Sequence, residues 1–105
     1  MKAGKLDQRV TLEQLVTIGD SWGGTVEAWA PLMSVWAAVE PLVGREYLAA
    51  QAAQSEVTAR VTMRYRPGIT AQDRVIHEGT IYNIVSVIDV RSQGRELVLM
   101  CKAMG

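Results

Sequence analysis

The stretch Val57–Tyr65 carries the clearest pattern in the chain. Apolar Val57, Ala59, Val61, Met63 and Tyr65 alternate with polar Thr58, Arg60, Thr62 and Arg64. Successive side chains of a strand point to opposite faces, so this period of two predicts a β-strand with one covered face. Two weaker versions lie upstream. Arg9–Val16 alternates and then drifts, while Met33–Glu40 puts Met33, Val35, Ala37 and Val39 on one face and Ser34, Trp36, Ala38 and Glu40 on the other. Downstream, Asp73–Glu78 predicts a short strand. Thr80–Val90 predicts a longer one, covered on both faces or twisted midway. Glu96–Lys102 predicts the last, with Leu97, Leu99 and Cys101 opposite Val98 and Met100.

Turn chemistry separates these runs. Gly19-Asp20-Ser21-Trp22-Gly23-Gly24 combines glycines, which adopt positive φ freely, with Asp and Ser side chains that bond nearby backbone. Trp29-Ala30-Pro31 is expected to continue that loop, because proline restrains its predecessor and donates nothing to a sheet ladder. Pro41 ends the second strand. Residues 44–56 are rich in alanine and lack β-branched residues, so a helix is favoured. Its apolar stripe of Tyr47, Leu48 and alanines is thin, and such a helix is marginal without neighbours. Arg66–Thr70, Gly79 and Arg91–Gly94 read as turns. About six short strands and one helix predict a mainly β fold, a small antiparallel barrel or sandwich with a helix-containing loop between strands two and three. Closure into a barrel would protect the edges of so small a sheet.

Composition narrows the class. A chain of 105 residues is expected to form a single domain, 1–105. At 49% hydrophobic it is too apolar for an intrinsically disordered protein. No apolar run approaches the ~20 residues of a membrane span, so no membrane role is expected. The N-terminus turns polar too early for a signal peptide, which points to a cytosolic setting with the thiol reduced. The 11 basic and 11 acidic residues cancel, which argues against a generic nucleic-acid binder. The balance is uneven, however: residues 1–55 carry −2 and residues 56–105 carry +2. Copies of such a chain can meet acidic patch on basic patch.

Little in the sequence suggests catalysis. His77 lacks an evident nucleophile, and Glu78 beside it on a strand should point the other way, so a surface or rim histidine is expected. Cys101, the lone cysteine, excludes an intramolecular disulfide and reads as a small core residue. The Gly19–Gly24 cluster lacks the lysine and spacing of a phosphate loop. No enzyme activity, cofactor or metal site is expected.

The informative residues are those suited to contact. Trp and Arg favour interface hot spots, and three tryptophans without a phenylalanine make an uncommon aromatic set. Trp22 and Trp29 either face a partner or fold back as lids over the barrel. Arg60 and Arg64, with Arg66 just beyond, either meet phosphates or an acidic neighbour or lie on a solvated strand face. Arg45, near the start of the helix, is a similar case.

The succession of segments resembles the phage head-tail joining proteins. It comprises Ala3-Gly4-Lys5-Leu6-Asp7-Gln8-Arg9-Val10-Thr11, Asp20-Ser21-Trp22-Gly23-Gly24 with Trp29, Val35-Trp36-Ala37 and Gly44-Arg45-Glu46-Tyr47. Ala52 to Gly68, containing Arg60-Val61, Arg64-Tyr65 and Arg66-Pro67-Gly68, is the most characteristic part; Asp73-Arg74-Val75, Tyr82-Asn83-Ile84 and Glu96-Leu97-Val98-Leu99 complete it. The likeness covers almost the whole chain and lies in the order of the pieces rather than in any one of them. It implies a small β-barrel with a protruding loop, here 41–56, and a structural virion role as a head-closure or stopper protein.

On that resemblance, six or twelve copies form a ring at the virion neck, assembled in the bacterial host cytoplasm. Portal and adaptor proteins lie above it, a tail terminator or tail-completion protein below, and genomic DNA passes through without sequence-specific binding. The contact residues expected are Trp22, Trp29, Arg45, Glu46, Tyr47, Arg60, Arg64 and Arg66. Two other readings stand beside it. One is a tail-completion or tail-terminator-like connector. The other is a small barrel binding single-stranded nucleic acid, with Arg60, Arg64, Tyr65 and Tyr82 as a basic, stacking surface.

Overall fold

The computed structural model describes residues 6–53 and 56–104. The expected contributions of Ala3, Gly4 and Lys5, and of the end of the helix at Gln54 and Ser55, lie outside the described residues. Six strands form one sheet: β1 (Gln8–Gly19), β2 (Thr25–Pro41), β3 (Ala59–Arg64), β4 (Arg74–His77), β5 (Thr80–Asp89) and β6 (Glu96–Ala103). A helix, α1 (Gly44–Ala52), joins β2 to β3. The strands close into a barrel in the order β1-β2-β3-β6-β5-β4, with every neighbouring pair antiparallel. Of the two architectures left open by the strand pattern, the barrel is the one formed.

Alternation fills the barrel. Val10, Leu12, Ala37, Val61, Met63, Val75, Leu99 and Cys101 are at most 1% exposed and form the core with Val35, Ile84 and Leu97. Two bulges shape the wall. Leu12 pairs Met33 while Glu13 pairs Pro31, so Leu32 is the extra residue on β2. Ile84 pairs Cys101 while Ser86 pairs Met100, so Val85 is the extra residue on β5. A bulge breaks the ladder, bends its strand and increases its twist, as closure requires. The β5 bulge is the midway twist that the mixed pattern of 80–90 anticipated.

Four expectations need correction. Trp29-Ala30-Pro31 is not loop but part of β2, whose 17 residues run unbroken to Pro41. Pro31 is tolerated because it sits beside the Leu32 bulge on a stretch of β2 with no strand on its other side, so its missing N–H breaks no second ladder. Ile69, read as part of a turn, is buried in the core. Thr62, read as polar face, is 0% exposed between Ala38 and Val98. Glu78 does not point away from His77: its φ of 50° turns the chain, and its Oε2 comes within 3.7 Å of His77 Nε2. The His77 side chain, at the end of β4, is 12% exposed, which fits the rim position rather than an open surface.

The barrel does not use all of its longest hairpin. β1 pairs β4 only at Thr11–Glu13, and β2 pairs β3 only at Ala37–Pro41. Among the described residues, 14–19 and 25–30 therefore pair only with each other and form a two-stranded arm. The arm contributes to a long axis of 51 Å against 29 and 27 Å across.

Candidate functional site

The predicted contact residues separate into three places. The first is the tip of the arm. Asp20 N–H donates to Gly24 O at 2.9 Å, and Asp20 Oδ1 accepts from the N–H groups of Trp22 and Gly24, each at 2.8 Å. Gly23 supplies the positive φ of 81° that the turn requires. The carboxylate thus fixes a turn that holds Trp22 out at 93% exposure, so Trp22 is no lid. Trp29, one-third of the way along β2, is half-buried instead. The Arg74 guanidinium lies 4.2 Å from its ring centroid, and Arg74 Nε donates to Glu13 Oε1 at 2.7 Å. Trp29 therefore braces the base of the arm against β4.

The second place is the helix. Arg45, Glu46, Tyr47 and Leu48 are all exposed, and α1 buries no residue at all. Arg60 on β3 reaches it: Nη1 donates to Glu46 Oε2 at 2.7 Å, while Nε stands 3.6 Å from Glu40 Oε1. The hydrogen bond to Glu46 holds the Arg60 guanidinium above its ordinary value, against partial desolvation. Arg60 is thus engaged within the chain. The sequence pattern put Arg60 and Arg64 on one open polar face; the ion pairs of Arg60 and the burial of Thr62 divide that face.

The third place is a groove of about 1200 Å³ at the end of the barrel where β2 parts from β3. Arg64 and Arg66 line it together with Arg9, Arg91 and Arg95. Leu6, Val35, Trp36, Val90 and Val98 supply its apolar surface, and among the described residues Glu96 is the one acidic residue that lines it. Arg9 lies over the Trp36 ring, 5.1 Å from the centroid. Among the described residues, Arg64, Arg66, Arg91 and Arg95 have no ion-pair partner. Arg91 sits in a strained turn: it and Ser92 both have positive φ, 57° and 54°. Gly94 N–H donating to Asp89 Oδ1 at 3.0 Å, and Gln93 N–H to Val90 O at 3.3 Å, hold that turn. Positive φ in a non-glycine residue is a conformation the surroundings must impose, and it clusters at functional surfaces.

Sequence reading missed Arg9, Trp36, Arg91 and Arg95 as members of one site. The excess of basic residues after position 56 was the available signal, but only closure of the barrel brings the β3, β5–β6 and β1 ends to one rim. Among the described residues no group of His, Cys, Asp and Glu side chains is placed to hold a metal ion, and no helix is long and apolar enough to cross a membrane. Cys101 is buried, and desolvation pushes its thiol up to about 12, far from a nucleophile's range.

Known proteins resemble this chain along almost its whole length. The head completion protein gp7 of Enterobacteria phage HK97 is 31% identical over 107 residues, covering 97% of this chain and 96% of that one. Protein SF1141 of Shigella flexneri 2a, solved in solution, superimposes with a TM-score of 0.78 at 25% identity, over 97% of this chain and 96% of that one. A chain in the virion of a native gene transfer agent particle shares the fold, with a TM-score of 0.60 and 19% identity over 93% and 94% of the two chains. The family model of phage head completion proteins matches residues 1–104. The chain belongs to the phage head completion protein family.

Proposed function

We propose that this protein is a structural part of the virion, a head-closure or stopper ring that connects the portal-adaptor assembly of a filled head to the tail and surrounds the DNA exit path. The observation that carries this reading is the family match over residues 1–104, supported by the full-length similarity to the head completion protein of phage HK97. The barrel shared with a chain of a gene transfer agent virion fits a virion component.

The surfaces suit the role. A closed ring needs two different patches on each subunit that fit one another. The exposed arm and the arginine groove are two such patches at separate places on one rigid sheet. The segment 41–56, with a helix that buries nothing, is the element free to dock the adaptor or to close the channel. Arg45 and Tyr47 are its contact residues, and the Arg60–Glu46 pair sets its position on the barrel. Zero net charge also fits a ring through which DNA must slide, since a densely basic wall would retain phosphates.

Reconstruction of the assembled particle tests the reading. We expect a ring of six or twelve copies between portal-adaptor and tail, with the groove arginines away from the channel wall. Density for this chain at the distal tail, or a channel wall formed by those arginines, contradicts it.

A further inference from the structure

We propose that the β1–β2 arm of one copy seats in the arginine groove of the next, and that this contact is the subunit interface of the ring. The inference rests on the connector reading and names the surfaces that would build it.

The arm carries the barrel's inner face beyond the barrel. Along β1 the face that buries Val10 and Leu12 continues, past the polar Gln14 and without a bulge on that strand, to the apolar Val16 and Ile18. Val26 lies directly opposite Ile18, and Ala28 opposite Val16, so these four share one face. Among the described residues no other element pairs with the arm there; Ile18 is 49% exposed, Val26 52%, and Trp22 at the tip 93%. An isolated two-stranded ribbon is marginal in water, and an apolar face on one marks a surface that a partner covers.

Charge names the partner. Residues 14–30 include two ionised side chains, Asp20 and Glu27, and both are acidic. The groove offers the opposite: five arginines around an apolar surface that includes Val35, Trp36 and Val98. It is larger than the 300–1000 Å³ typical of small-ligand pockets, which favours a macromolecular occupant. An acidic, apolar ribbon ending in a tryptophan matches this surface in both charge and hydrophobicity.

The arm cannot fill its own groove. Thr25 lies eleven residues along β2 from Trp36, about 36 Å at strand rise. The contact must therefore be between copies, and because arm and groove are different patches it is head-to-tail, the type that closes rings. A nucleic acid in the groove is the competing occupant. It explains the arginines but leaves the apolar arm uncovered.

Disulfide trapping in assembled particles tests this. Ser21 at the tip and Gln93 on the groove turn are both exposed, and Cys101 is buried. Particles built with the S21C/Q93C protein should give, on mild oxidation and non-reducing denaturing gels, a ladder of covalent multimers. Either single variant should give none. Adding R91E and R95E should reduce the ladder at least tenfold, and E27K, which leaves the Asp20 turn intact, should restore part of it. Particles that contain the double-cysteine protein but show no ladder overturn the interface and leave the connector reading intact. Normally joined particles lacking the protein overturn both. A ladder unchanged by charge reversal, with salt-sensitive duplex DNA binding by the purified protein that R91E/R95E abolishes, assigns the groove to phosphate and also overturns the proposal.

Discussion

Arg60 Nη1 donates to Glu46 Oε2 at 2.7 Å, across a sequence gap of 14 residues, and ties the first turn of the helix to the barrel wall. Because α1 buries no residue, such polar ties matter more to its position than packing does. Both side chains are partly exposed, 27% and 52%, so the pair is worth no more than about 1 kcal/mol to global stability. Arg60→Ala should leave the midpoint of barrel unfolding almost unchanged while amides of residues 44–52 exchange faster. Hydrogen exchange read residue by residue checks this. A barrel destabilised by several kcal/mol would show that Arg60 does more than hold the helix.

Trp22 provides the opposite test, a large side chain that the fold does not need. At 93% exposure, Trp22→Ala should change stability by less than about 0.5 kcal/mol. As an interface anchor its loss should cost about 2 kcal/mol or more. The expected result is a normal chemical melt combined with a sharp fall in joined particles. Arg45→Glu should behave the same way if the helix docks the adaptor. Normal infectious titres from both variants would count against the contact surfaces named above.

Leu99 should reverse that pattern. It is 0% exposed at the centre of β6 and pairs in register with Val61 and Val87. Leu99→Ala should cost about 2–5 kcal/mol through lost burial and a cavity. Urea unfolding measures it, and joining should fall only in proportion to the folded fraction.

Cys101 links the core to pH. Burial holds its thiol at about 12, above the ordinary value of 9.0. The neutral form is therefore favoured in the fold, and this contribution to stability is complete below pH 9. It declines as pH rises from 9 towards 12, by at most about 1.4 kcal/mol per unit from this group. Iodoacetamide should leave the native protein unlabelled at pH 8 and label it once unfolded. Rapid labelling of the native state would place Cys101 outside the core.

Much of the fold is legible in the sequence where alternation is uninterrupted. Val57–Tyr65 and Glu96–Lys102 predict β3 and β6 to within two residues at each end. The failures have particular causes. Trp29-Ala30-Pro31 reads as loop because proline is normally excluded from strands. Only the pairing shows that Pro31 lies by a bulge, on a length of β2 bordered by β1 alone. Ile69 follows Pro67-Gly68, and nothing local signals that a turn residue closes the core. Of the candidate contact residues, Trp22, Arg60 and Glu46 are named from residue type, but the Arg60–Glu46 pair that engages two of them is not legible in the sequence. The groove is not legible either, because Arg9 on β1, Arg64 on β3 and Arg95 in the turn before β6 are brought together only by closure.

The central claim is that this chain joins heads to tails, and complementation in vitro tests it most directly. Particles made without the protein should accumulate as separate filled heads and complete tails. Adding purified wild-type protein should restore joined, infectious particles, whereas the Trp22→Ala protein should restore few. Joined, infectious particles formed at wild-type levels without the protein would contradict the account.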